Sequence, residues 1–105
     1  MFPHEGSVVI NMNSIIGDNA TIFPGVLIGG MRGQKGGCPK IGNNVFIGSG
    51  AKLIGNIRIG DNVFISPNSV VVKDQADNTT IGGIPSHVIN DNGKEYCQLY
   101  SYNRF

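Results

Sequence analysis

Aliphatic side chains recur at every sixth position along most of this chain. Two runs in this register are separated by one break: Ile10, Ile16, Ile22 and Ile28, then Ile41, Ile47, Leu53, Ile59, Ile65 and Val71. Small or medium-sized residues follow most of them four positions later, at Ser14, Ala20, Val26, Val45, Ala51, Val63 and Ser69. A spacing of six is a multiple of the two-residue period of a strand and not of the helical period of about 3.6 residues, so the pattern predicts short strands.

The six-residue repeat predicts a triangular coil. Each hexapeptide supplies one flat side with its aliphatic residue pointing inward, and Gly, Asn or Asp occupies the corner because these residues tolerate positive φ. Three hexapeptides complete a coil, so each aliphatic residue stacks on the one three repeats later. The predicted stacks are Ile10 on Ile28, Ile41 on Ile59, and Ile47 on Ile65. Such a solenoid has a thin core and needs neighbouring coils for stability, and its regular register disfavours the alternative of a β-sandwich of short strands.

Two segments interrupt the repeat. The first is the stretch 29–40, "GGMRGQKGGCPK", which we predict to be a loop extruded from one corner of the coil. Loops on a rigid scaffold often carry function, but no Gly-Lys-Ser/Thr follows, which excludes a phosphate-binding P-loop. The second is "GGIP" at 82–85, which predicts a chain reversal. We therefore predict a repeat domain at 1–89 and a tail at 90–105 that caps the open coil edge.

Composition narrows the possible functions. The chain has 105 residues, which is enough for one small domain, and only 14 % of them are charged, with a net charge of +1. This balance argues against a nucleic-acid-binding face. No apolar run reaches the ~20 residues of a membrane-spanning helix, and no leader resembles a signal peptide. Two cysteines are too few for a disulfide framework, so we expect a reducing, cytoplasmic environment.

The repeat region resembles a known enzyme family. The segment "PKIGNNVFIGSGAKLIGNIRIGDNVFISPNSVVVKD", followed by "GGIPSHVI", is similar to the C-terminal half of hexapeptide-repeat acetyltransferases. The most similar groups are the serine acetyltransferases and the related polysaccharide O-acetyltransferases, and the resemblance covers roughly residues 4–89. It implies a left-handed parallel β-helix, which the usual right-handed crossover rule would not predict. It also implies a homotrimer that binds acetyl-CoA in grooves between adjacent subunits.

The resemblance implies a catalytic histidine near the start of the chain. Transfer of an acetyl group from a thioester to a hydroxyl needs a base, and histidine suits this role because its pKa is near neutral pH. His4, in "PHEGSVVIN", matches the family stretch that carries this base. Taken alone, a histidine at this position would more often be a surface residue. Glu5 is a poor substitute for the family's orienting carboxylate, because neighbours on a strand point to opposite faces.

Further site residues also come from the resemblance. The backbone amides of Gly29 and Gly30, at the base of the loop, are expected to stabilise the oxyanion. The expected acetyl-CoA contacts are Ser49, Pro67, Lys73 and His87, the last at the nucleotide end where the family often has an arginine. No metal site is expected. Six of the eight basic residues lie in the middle of the chain, which suits a polyanionic ligand or, alternatively, a solvated face: Arg32, Lys35, Lys40, Lys52, Arg58 and Lys73.

The sequence is compatible with more than one acceptor of the acetyl group. One possibility is serine or another amino acid, and a second is a sugar hydroxyl in a polysaccharide. Cys38 stands where serine acetyltransferases commonly have a substrate-contacting histidine, and its "GG-C-P" context resembles the polysaccharide enzymes. Cys38 is either a structural thiol or a nucleophile, and no histidine neighbours it in sequence. A third possibility is a trimeric remnant with little catalysis, because the N-terminal region of serine acetyltransferases is absent.

Overall fold

The computed structural model describes residues 8–31 and 36–100. His4 and Glu5 lie outside these ranges, as do Arg32 and Lys35. Within the described ranges the chain forms short strands followed by one helix: β1 Val9–Ile10, β2 Ile15–Ile16, β3 Thr21–Ile22, β4 Leu27–Gly29, β5 Lys40–Ile41, β6 Phe46–Ile47, β7 Lys52–Ile54, β8 Arg58–Ile59, β9 Phe64–Ile65, β10 Val70–Val71, β11 Thr80–Gly83, β12 Ser86–Asn90 and α1 Gly93–Tyr100.

The strands form three sheets, one on each side of a triangular coil. Sheet A has the order β1-β4-β7-β10, sheet B the order β2-β5-β8, and sheet C the order β3-β6-β9-β11-β12. All pairs are parallel except β11 with β12. The architecture is a left-handed parallel β-helix, which confirms the predicted fold class. We name the corners by the sheets they join: A–B, B–C and C–A.

The predicted stacks are present in register. Ile10 pairs with Ile28, Ile41 with Ile59, and Ile47 with Ile65. The inward side chains are removed from solvent, with an exposed fraction of 0 % at Ile28, Ile47, Leu53, Ile65, Val71 and Ile81. The small residues before the strands, such as Ala51 and Val63, are buried as well because they fill the corners of the same core.

The corners confirm the predicted turn chemistry. The second residue of a turn has positive φ at five asparagines, with values of 57–60° at Asn19, Asn44, Asn62, Asn68 and Asn78. Gly25 and Gly50 occupy the equivalent positions with φ of 80° and 74°. Asparagine and glycine recur there because other residues enter this left-handed region only at a steric cost.

The loop after β4 explains the break in the repeat. Ile28 lies in sheet A and Ile41 in the next side, sheet B, so the extra residues are inserted at the A–B corner. As predicted, a loop is extruded from one corner, but Gly29 ends β4 and Lys40 begins β5, so the insertion is shorter than 29–40 at both ends. Its two arms are joined by backbone hydrogen bonds between Met31 and Gly37, at 3.0 and 3.1 Å. Because of this insertion, Ile28 stacks on Leu53, which is further along the chain than one regular coil would place its partner.

The chain reverses at Ile84–Pro85, as predicted, and returns as β12. The edge of sheet C at this end is therefore capped by β12. Helix α1 begins over the last turn of the B–C corner, where the N–H groups of Gly93 and Lys94 donate to the backbone carbonyl and to Oδ1 of Asn78 at 3.2 and 2.7 Å. It covers the outer face of sheet C, where the Tyr96 ring lies 5.7 Å from the Phe64 ring. Phe46 and Phe64 stack at 4.5 Å on this face and form an apolar surface that the helix removes from water.

Candidate functional site

The turns at the C–A corner form a continuous column. They are Pro24–Gly25, Ser49–Gly50 and Pro67–Asn68, one above the other. The N–H of Gly50 donates to the carbonyl of Pro24 at 3.0 Å, and the N–H of Asn68 donates to the carbonyl of Ser49 at 2.8 Å. Each turn is thus held by the turn below it, so the corner is a fixed row of backbone groups.

The column ends at Pro67, and backbone polar groups at this end have no hydrogen-bond partner among the described residues. The chain reverses above this point instead of forming another turn, so no N–H in the described ranges donates to the Pro67 carbonyl. The N–H and hydroxyl of Ser49 likewise have no partner among the described residues. The side chains of Ser49 and Pro67 are both exposed. The corner therefore presents an acceptor at Pro67 and donors at Ser49. This pattern suits an extended molecule that carries amide groups.

His87 lies at the carboxyl-terminal end of the same corner. It pairs with Gly82 across the hairpin, and Gly82 is adjacent to Ser66, the residue before Pro67. Gly83 has a φ of 103°, and a Cβ at this position would lie 3.0 Å from Cε1 of His87. Glycine therefore lets the exposed imidazole fold back over the hairpin. The fold brings together three of the residues expected to contact acetyl-CoA: Ser49, Pro67 and His87.

Gly29, Gly30 and Lys73 lie at the opposite edge of sheet A. Gly29 ends β4, and its carbonyl accepts a hydrogen bond from Gly55 at 3.0 Å. Lys73 follows β10 and so reaches the same A–B corner. Sheet A separates these residues from Ser49 and Pro67 within one chain. The expected oxyanion and acetyl-CoA residues are thus divided between two corners.

The base of the loop packs tightly around Gly30. A Cβ at this position would lie 2.8 Å from Sγ of Cys38 and 3.0 Å from the carbonyl oxygen of Gly37. Only glycine leaves room for the second arm of the loop to pass. Cys38 is a half-buried free thiol at this point, next to the backbone that the resemblance assigns to the oxyanion.

The second cysteine is unsuited to nucleophilic chemistry. Cys97 lies on α1 with an exposed fraction of 6 %. Burial raises the pKa of its thiol to about 11, and a hydrogen bond with the backbone of Phe46 offsets this only in part. Because the thiolate is the nucleophile, a buried neutral thiol is inert at neutral pH.

Lys52 is a further cation at the C–A corner. The sequence analysis did not assign it a contact with acetyl-CoA. It lies on the outer face of sheet A, and its Nζ donates to the Gly50 carbonyl at 3.2 Å. The signal that could have found it is its outward position on β7, a strand that begins three residues after Ser49. The other described basic residues of the middle segment lie elsewhere: Lys40 and Arg58 are on the outer face of sheet B, and Lys73 is at the A–B corner.

Over residues 8–31 and 36–100, no three His, Cys, Asp or Glu side chains are grouped as metal ligands would be. In the same ranges, no helix has the length and apolar character required to cross a membrane.

The six-residue repeat matches a known protein family. The family model described as bacterial transferase hexapeptide (six repeats) matches residues 38–73. The chain carries a hexapeptide-repeat domain. The serine acetyltransferase of Staphylococcus epidermidis is 42 % identical to it over 100 residues, which cover 94 % of this chain and 47 % of that enzyme. The chain thus spans about half the length of the curated relatives it matches.

Solved structures agree with the repeat match. The serine acetyltransferase of Brucella abortus, in complex with coenzyme A, superposes on the hexapeptide-repeat domain with a TM-score of 0.78 and 37 % identity. That match covers 85 % of this chain and 36 % of the other. The serine acetyltransferase of Neisseria gonorrhoeae, in complex with serine, gives a TM-score of 0.71 at 42 % identity, over 75 % of this chain and 32 % of that one. The chain resembles the C-terminal part of serine acetyltransferases.

Proposed function

We propose that this protein transfers the acetyl group of acetyl-CoA to a hydroxyl, as an O-acetyltransferase of the serine acetyltransferase type. The observation that carries this proposal is the open end of the backbone column at the C–A corner. Similarity to one enzyme solved with coenzyme A and another solved with serine supports the choice of donor and acceptor.

The groups at the corner fit the pantetheine arm of acetyl-CoA, which is an extended chain with two amides. One amide N–H would donate to the Pro67 carbonyl, and a pantetheine carbonyl would accept from the N–H of Ser49. These bonds would extend the ladder that already joins Pro24, Ser49 and Asn68. Lys52 and His87 lie along the same corner, where a cation or a hydrogen-bond donor would meet the phosphates.

A homotrimer would bring the two halves of the site together. Gly29, Gly30 and Lys73 lie on the A–B corner, whereas Ser49 and Pro67 lie on the C–A corner. If the A–B corner of one subunit faces the C–A corner of the next, the loop base meets the acetyl end of the bound thioester. We therefore place acetyl-CoA in grooves between subunits.

In the proposed reaction, His4 accepts the proton of the acceptor hydroxyl as its oxygen attacks the thioester carbon. The amides of Gly29 or Gly30 would stabilise the oxyanion of the tetrahedral intermediate. When the carbon–sulfur bond breaks, the leaving thiolate takes the proton from His4, so the histidine is restored and no acyl-enzyme forms. A base in this role contributes a factor of roughly 10² to 10⁴ to the rate.

A sugar hydroxyl is the second candidate acceptor, and the observation that favours it is Cys38. In the "GG-C-P" context this residue resembles the polysaccharide enzymes. The free thiols of Cys38 and Cys97 suit a reducing compartment, and we propose the cytoplasm for either acceptor.

Release of free coenzyme A thiol from acetyl-CoA tests the proposal, with L-serine compared against a panel of sugars. We expect turnover with serine, and a loss of about 10²-fold or more in kcat for His4→Ala. His87→Ala is the matched control, since loss of a nucleotide contact should raise KM for acetyl-CoA and leave kcat largely unchanged. Turnover with sugars alone would favour the second candidate.

Two results would contradict the proposal. One is the absence of turnover with every acceptor together with no effect of His4→Ala, which would leave a remnant with little catalysis. The other is a folded monomer in sedimentation equilibrium, because the groove between subunits would then not exist.

A further inference from the structure

A surface groove of about 430 Å³ lies on sheet B, away from the C–A corner. Its walls are formed by Arg58 on β8 and by the segment that follows β10, and the lining residues are Arg58, Gly60, Asp74, Gln75, Ala76 and Asp77. The proposed reaction uses none of these residues. The volume is at the lower end of the range for small-molecule sites, roughly 300–1,000 Å³.

The two carboxylates of the groove are held in place by the backbone. Oδ1 of Asp74 accepts a hydrogen bond from the N–H of Arg58 at 2.8 Å. Oδ1 of Asp77 accepts one from the N–H of Asp61 at 2.7 Å. In each case the second carboxylate oxygen has no partner among the described residues, so a fixed negative group faces the groove with one oxygen available.

The positive group of the groove is also available. The Arg58 guanidinium forms neither a hydrogen bond nor an ion pair with any described residue, although it shares the groove with both carboxylates. Lys40 is its neighbour in register on sheet B, and its Nζ is engaged with Oδ1 of Asn56 at 3.3 Å. The groove thus holds charges of both signs that do not neutralise each other.

We propose that this groove binds a small zwitterion of the free α-amino acid class. The carboxylate of the ligand lies on the planar guanidinium of Arg58, which matches it in a bidentate geometry. Its ammonium lies between Asp74 and Asp77. A simple anion would meet two carboxylates and a metal ion would meet Arg58, whereas a ligand with both charges pairs with every charged group.

Residue-resolved NMR titration of the full chain tests this site with three probes of similar size. L-alanine carries both charges, ethylamine only the positive one, and propionate only the negative one. We expect saturable shifts at the amides of Arg58, Gly60 and Ala76 with alanine. Each single-charge probe should bind about fivefold more weakly or worse, since one exposed ion pair is lost. None of these probes needs acetyl-CoA, so failure here is separate from failure of the proposed acetyl transfer.

The variants keep the backbone contacts of the groove. Arg58→Gln retains its own N–H, and Asp77→Asn retains an Oδ1 acceptor, just as Asn43 natively accepts the N–H of Asp18 at 2.8 Å. Each should weaken alanine binding by about fivefold. Asp18→Asn is the matched control. It removes the same charge from the B–C corner, but at the opposite end of the coil from Asp77, so alanine binding should not change.

Three outcomes would overturn the proposal. The first is equal affinity for ethylamine and alanine, which would mean that the groove attracts any cation. The second is unchanged alanine binding in both Arg58→Gln and Asp77→Asn. The third is a set of shifts confined to the C–A corner.

Discussion

Oδ1 of Asp77 accepts a hydrogen bond from the backbone N–H of Asp61 at 2.7 Å, one level below it in the coil. The same bond joins Asp61 to the N–H of Asn43 at 2.7 Å, and Asn43 to the N–H of Asp18 at 2.8 Å. A ladder of side chains thus fastens every level of the B–C corner to the next. It requires glycine before each of the three Asx residues whose N–H donates, Asp18, Asn43 and Asp61, because a Cβ at Gly60, for example, would collide with Oδ1 of Asp77.

Gly60→Ala should lower the free energy of unfolding by about 1–3 kcal/mol, the range for an overpacked site. The added methyl would lie 2.7 Å from the backbone N of Asp77, which is itself held in the turn. Urea unfolding measures the loss. Gly29→Ala is the control, since its Cβ would approach nothing closer than 3.9 Å. Equal losses in the two variants would show that the ladder does not impose glycine.

Asn44→Ala should destabilise the fold by about 1–2 kcal/mol because Asn44 has a φ of 58°. Its side chain is exposed, so the cost is conformational rather than a loss of packing. Asn44→Gly should stay within a few tenths of a kcal/mol of the native protein, since glycine adopts this region freely. The prediction fails if thermal or urea unfolding ranks alanine equal to glycine at this position.

The rings of Phe46 and Phe64 lie 4.5 Å apart with an interplanar angle of 8°. A double-mutant cycle with Phe46→Leu and Phe64→Leu should give a coupling energy of about 0.5–1.5 kcal/mol. Phe64→Leu combined with Val70→Ala is the control pair, because Val70 lies on sheet A and the two losses should add. A coupling near zero for the aromatic pair would mean that the stack contributes only its buried area.

Burial of Cys97 should make stability depend on pH in alkaline solution. Its pKa rises from 9.0 to about 11 in the folded protein, so the unfolded chain loses this proton first. The resulting stabilisation is complete below pH 9 and is lost as pH rises from about 9 to 11. Urea midpoints at pH 8 and pH 10 should therefore fall less in Cys97→Ala than in the native protein. Parallel decreases in both proteins would contradict this assignment.

Ser49→Pro separates the stability of the C–A corner from its ligand chemistry. Pro24 and Pro67 occupy the equivalent positions below and above Ser49, so proline fits the turn and stability should be unchanged or slightly higher. The variant loses the N–H that we assign to acetyl-CoA, and KM for acetyl-CoA should rise about fivefold or more. Ser49→Ala keeps the N–H and should behave like the native protein. An unchanged KM in the proline variant would remove Ser49 from the site.

The six-residue periodicity of the sequence was sufficient to predict the strands, the stacks of aliphatic residues and the turns. An inward aliphatic every six residues and an Asn or Gly at each corner depend only on neighbours in the chain, so the pairing of Ile47 with Ile65 follows from their spacing alone. The contact residues Ser49, Pro67 and His87 came from resemblance rather than from periodicity. The sequence analysis assigned Lys52 no contact with acetyl-CoA. Its place at the C–A corner follows from its position on the outer face of sheet A, which is defined only once the strands have paired.

Only the tertiary structure decided how the levels and sites are arranged in space. The sequence shows that residues are inserted between Ile28 and Ile41, but whether they occupy one corner or one further side depends on which sheet Ile41 joins. Likewise, α1 covers sheet C because Phe46 and Phe64 are adjacent there, a proximity that exists only after the coils stack. Gly30 and Ser49 fall on different corners for the same reason: the position of a residue around the coil depends on every insertion before it.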